Sequence, residues 1–403
     1  MIRPLLAASA LAILSSAAAA QDKPSAAPPA AHDAQPGDVV VTGVRLSDSA
    51  AALKACLDRK CPPDQDIAAT LAHAENLFVA GDYHAARQTL GSSIGRNKRH
   101  AAKFPVQVSD LLRANSRIAA HLGDGESYQI GAFDVLSALK AGLPDNDPRV
   151  LAARIEVGDS FAKTRQPDMA LNIYKEVAQR AHQLHLPVVE GYARLRTAIF
   201  LRAMADSDAG TYRRDAVKAI DALIQNPDPQ LAAFALAGKL LKAQMAAKDG
   251  DTTAIDALVA EYRGKNQGTR PVLLYGPKIQ SREQSNRQFN GGSTTNQLAA
   301  DNFDNQWVDV SFWITPDGRV SDAGVLRESP KLSGYWVKPI VDSIAGRRYA
   351  PLAMDPSQPG LLRVERYTFT SRWTTVVGSH LPQREPTPQI EMIDLSQDAP
   401  TKG

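Results

Sequence analysis

The pentapeptide Gly91-Ser92-Ser93-Ile94-Gly95 fits G-x-S-x-G, the pattern that sets a nucleophilic serine on a strained turn between a strand and a helix. This segment trails a helical pattern instead, so it reads as a loop or helix end. His182 and His185 stand at i and i+3, a spacing that could turn two imidazoles toward one metal. No third ligand is near them, and a solvated helix face is the reading that remains. The pairs Asp145/Asp147, Asp206/Asp208 and Asp249/Asp251 lack the spacing and closing glutamate of a calcium loop, which leaves turn formers and helix caps. No glycine-rich phosphate loop or dinucleotide fingerprint occurs. These residues predict no enzyme, no cofactor and no small-molecule substrate.

The two cysteines, Cys56 and Cys61, are five apart. In a straight helix their Cα atoms would stand about 8–9 Å apart, too far for a disulfide. Pro62 and Pro63 follow and push Cys61 out of helical geometry. A helix that ends near Asp58 and turns back would join the sulfurs. A disulfide is expected in an oxidising compartment, with two free thiols as the alternative; no paired histidine is close enough for zinc.

The compartment is read from the first residues. Arg3 gives a positive start, Leu5 to Ser16 an apolar stretch, and Ala17 to Ala20 a small-residue run with Ala18 and Ala20 in A-x-A positions before Gln21. That is the layout of a cleavable signal peptide. Cleavage after Ala20 would deliver the chain to the periplasm of a Gram-negative bacterium; the alternative is an uncleaved inner-membrane anchor. Residues 21–46 carry Pro24, Pro28, Pro29 and Pro36 in an alanine-rich setting, expected to be a disordered linker. A formal net charge of +3 over 403 residues demands neither nucleic acid nor an anionic membrane. The one basic cluster, Arg96 to Lys103, ends a helical pattern, where cations complement the helix dipole.

Residues 47–264 show apolar positions recurring at three and four, broken at Gly81-Asp82, Gly123-Asp124, Pro144 to Pro148, Gln166-Pro167, Pro187, Asn226 to Pro229 and Asp249-Gly250. About ten or eleven helices are expected, most in antiparallel pairs. Ala74, Leu77, Ala86 and Leu90 share their offsets with Gly158, Phe161, Ala170 and Tyr174. A weaker third copy is Ala120, Gly123, Ala132 and Leu136, with Gly123 in place of a large residue. Small residues that admit large ones from a neighbouring helix, with G-D-Y-x-x-A as the turn, resemble the tetratricopeptide repeat, at spacings of about 38–46 rather than 34 residues. A divergent α-solenoid is expected.

After a linker, 265–305, the pattern turns to alternation. Val308, Val310, Phe312 and Ile314 share one face of a strand. The turn Thr315-Pro316-Asp317-Gly318-Arg319 leads through Val320 into a second strand. A helical face then runs from Tyr335 to Ile344, followed by Arg347, Arg348, Tyr349 and Pro351, and a last strand over about Leu362–Thr374. This order, covering about 70–80 of 403 residues, resembles the C-terminal domain of TonB-type energy transducers. The fold expected is therefore α+β and multidomain: a tetratricopeptide-like α-solenoid, then a small β-β-α-β TonB C-like domain over 306–376, then a disordered tail over 377–403.

The resemblance implies recognition of an extended segment by strand addition to a sheet edge. It places that edge on the last strand, at Val364, Glu365, Arg366, Tyr367, Thr368, Phe369 and Thr370, with Arg363, Glu365 and Arg366 exposed to tune partner choice. An edge covered by the tail is the alternative. Asp38 to Arg45, D-V-V-V-T-G-V-R, resembles a segment found just after the signal peptide in many TonB-dependent receptors. The function expected is protein–protein interaction in a TonB-related envelope transport system, by strand addition and through the helical solenoid, with a receptor or another envelope protein as partner. A membrane-anchored transducer is the alternative. The two halves are expected to unfold separately.

Overall fold

The computed structural model describes residues 44–207, 209–248, 253–262, 271–279, 303–355, 357–375 and 381–396. The export segment with its cleavage point, the linker through residue 43 and all of 265–305 except 271–279 and 303–305 lie outside the described residues. The chain is mixed α+β, with eleven of its twelve described α-helices preceding an antiparallel sheet.

A leading helix, α1 (Leu46–Asp58), is followed by helical hairpins. They pair α2 (Pro63–Val79) with α3 (Tyr83–Asn97), α4 (Pro105–His121) with α5 (Gly125–Lys140), and α6 (Pro148–Lys163) with α7 (Pro167–Gln183). Next come α8 (Pro187–Ser207) with α9 (Ala209–Ile224), and α10 (Ala232–Lys248) with α11 (Thr253–Tyr262). Proline opens α2, α4, α6 and α8, where its missing N–H costs nothing and its fixed φ starts the helix.

The first three hairpins turn in the same way. Gly81, Gly123 and Arg165 adopt φ of 87°, 75° and 64°, and they stand 42 residues apart, at 81, 123 and 165. The next residue in each case donates back across the turn at 2.9 Å: Asp82 to Leu77 O, Asp124 to Ala119 O, Gln166 to Phe161 O. This closing bond satisfies helix-end carbonyls and fixes the reversal. Asp82 and Asp124 then cap the following helix, accepting from Ala85 N and Ser127 N.

These turns correct the register of the weakest repeat. Counted from Gly123, its four positions are Ser116, Ala119, Tyr128 and Ala132; Gly123 is the turn itself and replaces no large residue. The small–large logic is direct at Gly158, where a Cβ would stand 2.6 Å from the Tyr174 ring. The same left-handed reversal closes α1 at Asp58. Lys60 has φ 52°, Cys61 N donates to Cys56 O at 3.1 Å, and the two cysteines form a disulfide with Cα atoms 5.3 Å apart. So short a loop contributes about 2 kcal/mol.

The C-terminal elements are β1 (Leu273–Tyr275), β2 (Gln306–Ile314), β3 (Val320–Glu328), α12 (Val337–Ala345), β4 (Arg348–Tyr349), β5 (Leu361–Thr375) and β6 (Pro382–Asp394). The main sheet runs β3-β2-β5-β6, and β1 pairs with β4. Two boundaries therefore move. Residues 273–275, assigned to the linker, are a strand that joins this unit, and 382–394, assigned to a disordered tail, form the strand beside β5. One sheet face buries Val308, Val310, Phe312 and Ile314 against Trp336, Ile340 and Ile344 of the α12 region.

The opposite face meets the helices. Trp307 belongs to the helical core with Phe78, Tyr83 and Leu111, and Ile393 and Leu395 pack on the same core. At the far end, Leu274 of β1 and Ala350 are buried with Leu240 and Ala243 of α10 and Leu258 of α11, and Gln244 Nε2 donates to Leu274 O at 3.0 Å. The separate unfolding expected of the two halves conflicts with this shared core.

Candidate functional site

The two halves of the C-terminal motif meet. Gly318, at φ 82°, turns the chain where a Cβ would run into the Tyr349 carbonyl oxygen. Tyr349 N donates to Gly318 O at 2.7 Å and Leu352 N to Pro316 O at 2.9 Å. Thr315 Oγ1 bonds Asp317 Oδ1 at 2.5 Å, and Arg319 bridges to Arg348. Arg347 reaches the Glu365 carboxylate at 2.8 Å and Tyr367 Oη at 2.7 Å. Val320 opens β3, and Pro351 follows the β4 turn. The motif is a folding unit whose polar groups are spent on each other.

The expected edge is not an edge. Residues Val364, Glu365, Arg366, Tyr367, Thr368, Phe369 and Thr370 lie in β5, paired as far as Phe369 with β2 on one side and, from Glu365 onward, with β6 on the other; Val364 O accepts there from Leu395 N. Arg363, Glu365 and Arg366 are buried and do not face a partner. Leu395 N donates to Val364 O at 2.8 Å, which fixes the alternation of the ladder. Even-numbered β5 residues from Val364 to Thr370 point their N–H and C=O at β6, and odd-numbered ones point theirs at β2. Neither Thr368 nor Tyr367 has a free N–H.

Among the described strands the sheet has two edges, β3 and β6, and β6 is the one beside β5. The same alternation turns its even-numbered N–H groups outward. Pro388 stands at one of those positions, and Pro382 and Pro386 in the first half of the strand likewise have no N–H to offer. Beyond them Ile390, Met392 and Asp394 expose donors, and β6 pairs with β5 alone among the described strands. The edge is blunted along its first half and open along its second.

What β5 faces is the seam with the helical hairpins. Arg366, fully buried, donates through Nε to Asp309 Oδ1 at 2.6 Å and through Nη2 to Oδ2 at 3.0 Å. Two further hydrogens go to Phe78 O and, at 2.7 Å, Val79 O, the last carbonyls of α2. The guanidinium also stacks 4.0 Å from the Trp307 ring centroid. A buried cation is thus paired, hydrogen-bonded and placed at a helix C-terminus, where the dipole favours it.

The next hairpin is engaged in the same way. Trp373 N donates to Gly123 O at 3.1 Å, past the end of β2, so the turn continues the ladder. Arg384 Nη1 caps α4 at Leu122 O, 3.1 Å away. On the third hairpin Lys163 pairs with Glu391 at 2.6 Å and Arg165 with Glu385 at 3.2 Å. The sheet therefore lies across three successive turns.

At the centre, Thr368 Oγ1 is bonded to Tyr83 Oη at 2.9 Å and His121 Nδ1 at 2.8 Å. Burial pushes the His121 imidazole down to about 3, with Lys163 and Arg366 adding to the effect. The ring is neutral in the fold, whereas in the unfolded chain it takes up a proton near 6.5. Between these values the unfolded state binds more protons, so stability is full above about 6.5 and falls as pH drops toward 3, by about 1.4 kcal/mol per pH unit. The expected result is an imidazole that keeps its neutral NMR signature down to about pH 4, with His121→Gln flattening the acid limb of the stability curve. Protonation of His121 in the folded chain near pH 6 would contradict this.

The other sequence candidates do not converge. Gly91 to Gly95 lie inside α3, where Ser93 Oγ accepts from Asn97 at 3.0 Å, so no nucleophile elbow forms. His182 on α7 pairs with Glu190 at 3.0 Å, and His185 lies in the following turn with φ 53°. No group of three or more metal-ligating side chains occurs among the described residues. The sequence marks Tyr83 only as part of the G-D-Y-x-x-A turn, and His121, Asp309 and Arg384 not at all, because their importance arises only where distant segments meet. No protein-family profile, curated protein or solved structure matches this chain.

Proposed function

We propose that this chain is a binding protein of the Gram-negative envelope, a tetratricopeptide-like scaffold carrying a TonB C-like unit, which captures an extended partner segment along β6. The observation that carries this is the open half of that edge, where Ile390, Met392 and Asp394 present N–H groups on a rigid sheet anchored by the seam. The order of motif elements supports the TonB-like reading, and the regular interval of the hairpin turns supports the repeat reading. The export segment supports the periplasm. Backbone hydrogen bonds would supply affinity, and alternate side chains selectivity.

The test is titration of a labelled peptide spanning Asp38 to Arg45, together with equivalent receptor peptides, against the full chain. Affinities of roughly micromolar to millimolar are expected for so short a strand. Met392→Pro deletes an outward donor without touching the β5 ladder, so it should abolish binding and leave the fold intact. No binding at millimolar peptide, or binding that Met392→Pro and Ile390→Pro leave unchanged, would defeat the proposal. Recovery of the full-length chain from washed inner membranes would favour a transducer.

A further inference from the structure

The helical hairpins carry a second surface, on the side formed by α5, α6 and α7. Ile130 and Phe133 of α5 and Met169 of α7 are 54 %, 44 % and 47 % exposed, unusual for large apolar groups so close together. The same three helices line a cavity of about 170 Å³, with Leu136 from α5, Ile173 and Val177 from α7, and Leu151 and Val157 from α6. Phe133 packs edge-on against Phe161 of α6, 5.9 Å between centroids, which ties the exposed stripe of α5 to α6. Stripes at three- and four-residue spacing on α5 and α7, each packed on α6, form a groove with room for an apolar side chain.

One end of this groove is charged. Arg154 and Arg180 line it with Glu176, leaving a net single positive charge. Arg154 Nε is buried without a hydrogen-bond partner, although a buried donor ordinarily finds one. Neither arginine is in an ion pair among the described residues. A carboxylate arriving beside the apolar pocket would give the buried Arg154 Nε an acceptor and could pair with the exposed Arg180.

We infer that the α5–α7 groove docks an amphipathic helix of a partner protein, with leucine or phenylalanine anchors in the cavity and an acidic side chain on Arg154 and Arg180. This inference stands apart from strand capture at β6: the surfaces differ, and either can fail alone.

The probe is a pair of designed helical peptides sharing Leu and Phe at i, i+3 and i+7, one with glutamates and the other with lysines between them. They are titrated against the full chain by fluorescence anisotropy. The acidic peptide is expected to bind at least tenfold more tightly than the basic one. Phe133→Ser and Met169→Ser, both at exposed positions, should each weaken it about tenfold, and Arg180→Gln should remove its advantage over the basic peptide. Met392→Pro should change nothing. Equal affinity for the two peptides, or binding untouched by Phe133→Ser, would overturn the inference. So would a concentration-dependent dimer that Phe133→Ser dissolves, because the occupant would then be a second copy of this chain.

Discussion

Asp309→Ala is expected to destabilise the whole chain by about 3–5 kcal/mol, because it strands a buried guanidinium. Asp309 and Arg366 are both fully buried, and Asp309 also accepts from Arg327 Nη2 at 2.6 Å. Once the carboxylate is removed, Arg366 keeps only the α2 carbonyls and the Trp307 ring, and water cannot reach it without opening the seam. The double variant Asp309→Leu, Arg366→Met should lose less than Asp309→Ala alone, since it removes the unpaired charge together with its partner. Urea unfolding of the intact chain measures both. A loss below about 1 kcal/mol for Asp309→Ala would mean that the pair is solvated and the seam open.

Gly123→Ala is the second large effect. Gly123 is needed twice over. Its φ of 75° costs an L-residue about 1–2 kcal/mol, and a Cβ would run into the Ser371 carbonyl oxygen and come within 2.6 Å of Arg384 Nη1. The obstacle is backbone, so relief requires β5 to withdraw and the Trp373–Gly123 bond to break. A loss of more than about 3 kcal/mol is expected, with new protease sensitivity between the helices and the sheet. Gly91→Ala is the internal control. Gly91 lies in α3 with no atom near its missing Cβ, so alanine there should stabilise by about 0.5–1 kcal/mol. Equal stability of Gly123→Ala and the unaltered chain would show that the sheet does not rest on this turn.

Much of the architecture was legible because it is local. Proline at helix starts, glycine or aspartate at hairpin turns and apolar spacing at three and four place the helices. Alternation from Val308 to Ile314 and the Thr315–Arg319 turn place the first strands. The bridge between Cys56 and Cys61 followed from two prolines and the geometry of a helix end. What escaped is non-local. Four prolines made 377–403 resemble an unstructured tail, yet three of them fall in β6, where an edge strand tolerates them, and the alternating Ile390 and Met392 were the available signal. Arg366 reads as an exposed charge on a partner-facing edge until Asp309, 57 residues away, and the end of α2 are seen around it. No periodicity encodes that meeting.

The most direct measurement is amide hydrogen exchange on the intact chain, resolved by residue over β5 and β6. The sheet order makes β5 a central strand and β6 an edge. Amides from Glu365 to Thr370 should therefore exchange only with global unfolding, together with α2 and α4. In β6 the odd-numbered amides from Gln389 to Ile393 should be protected, while Ile390, Met392 and Asp394 exchange at near-solvent rates. Fast exchange across Glu365–Thr370, or uniform protection along Gln389–Asp394, would contradict both the docked sheet and the edge on which the proposed function depends.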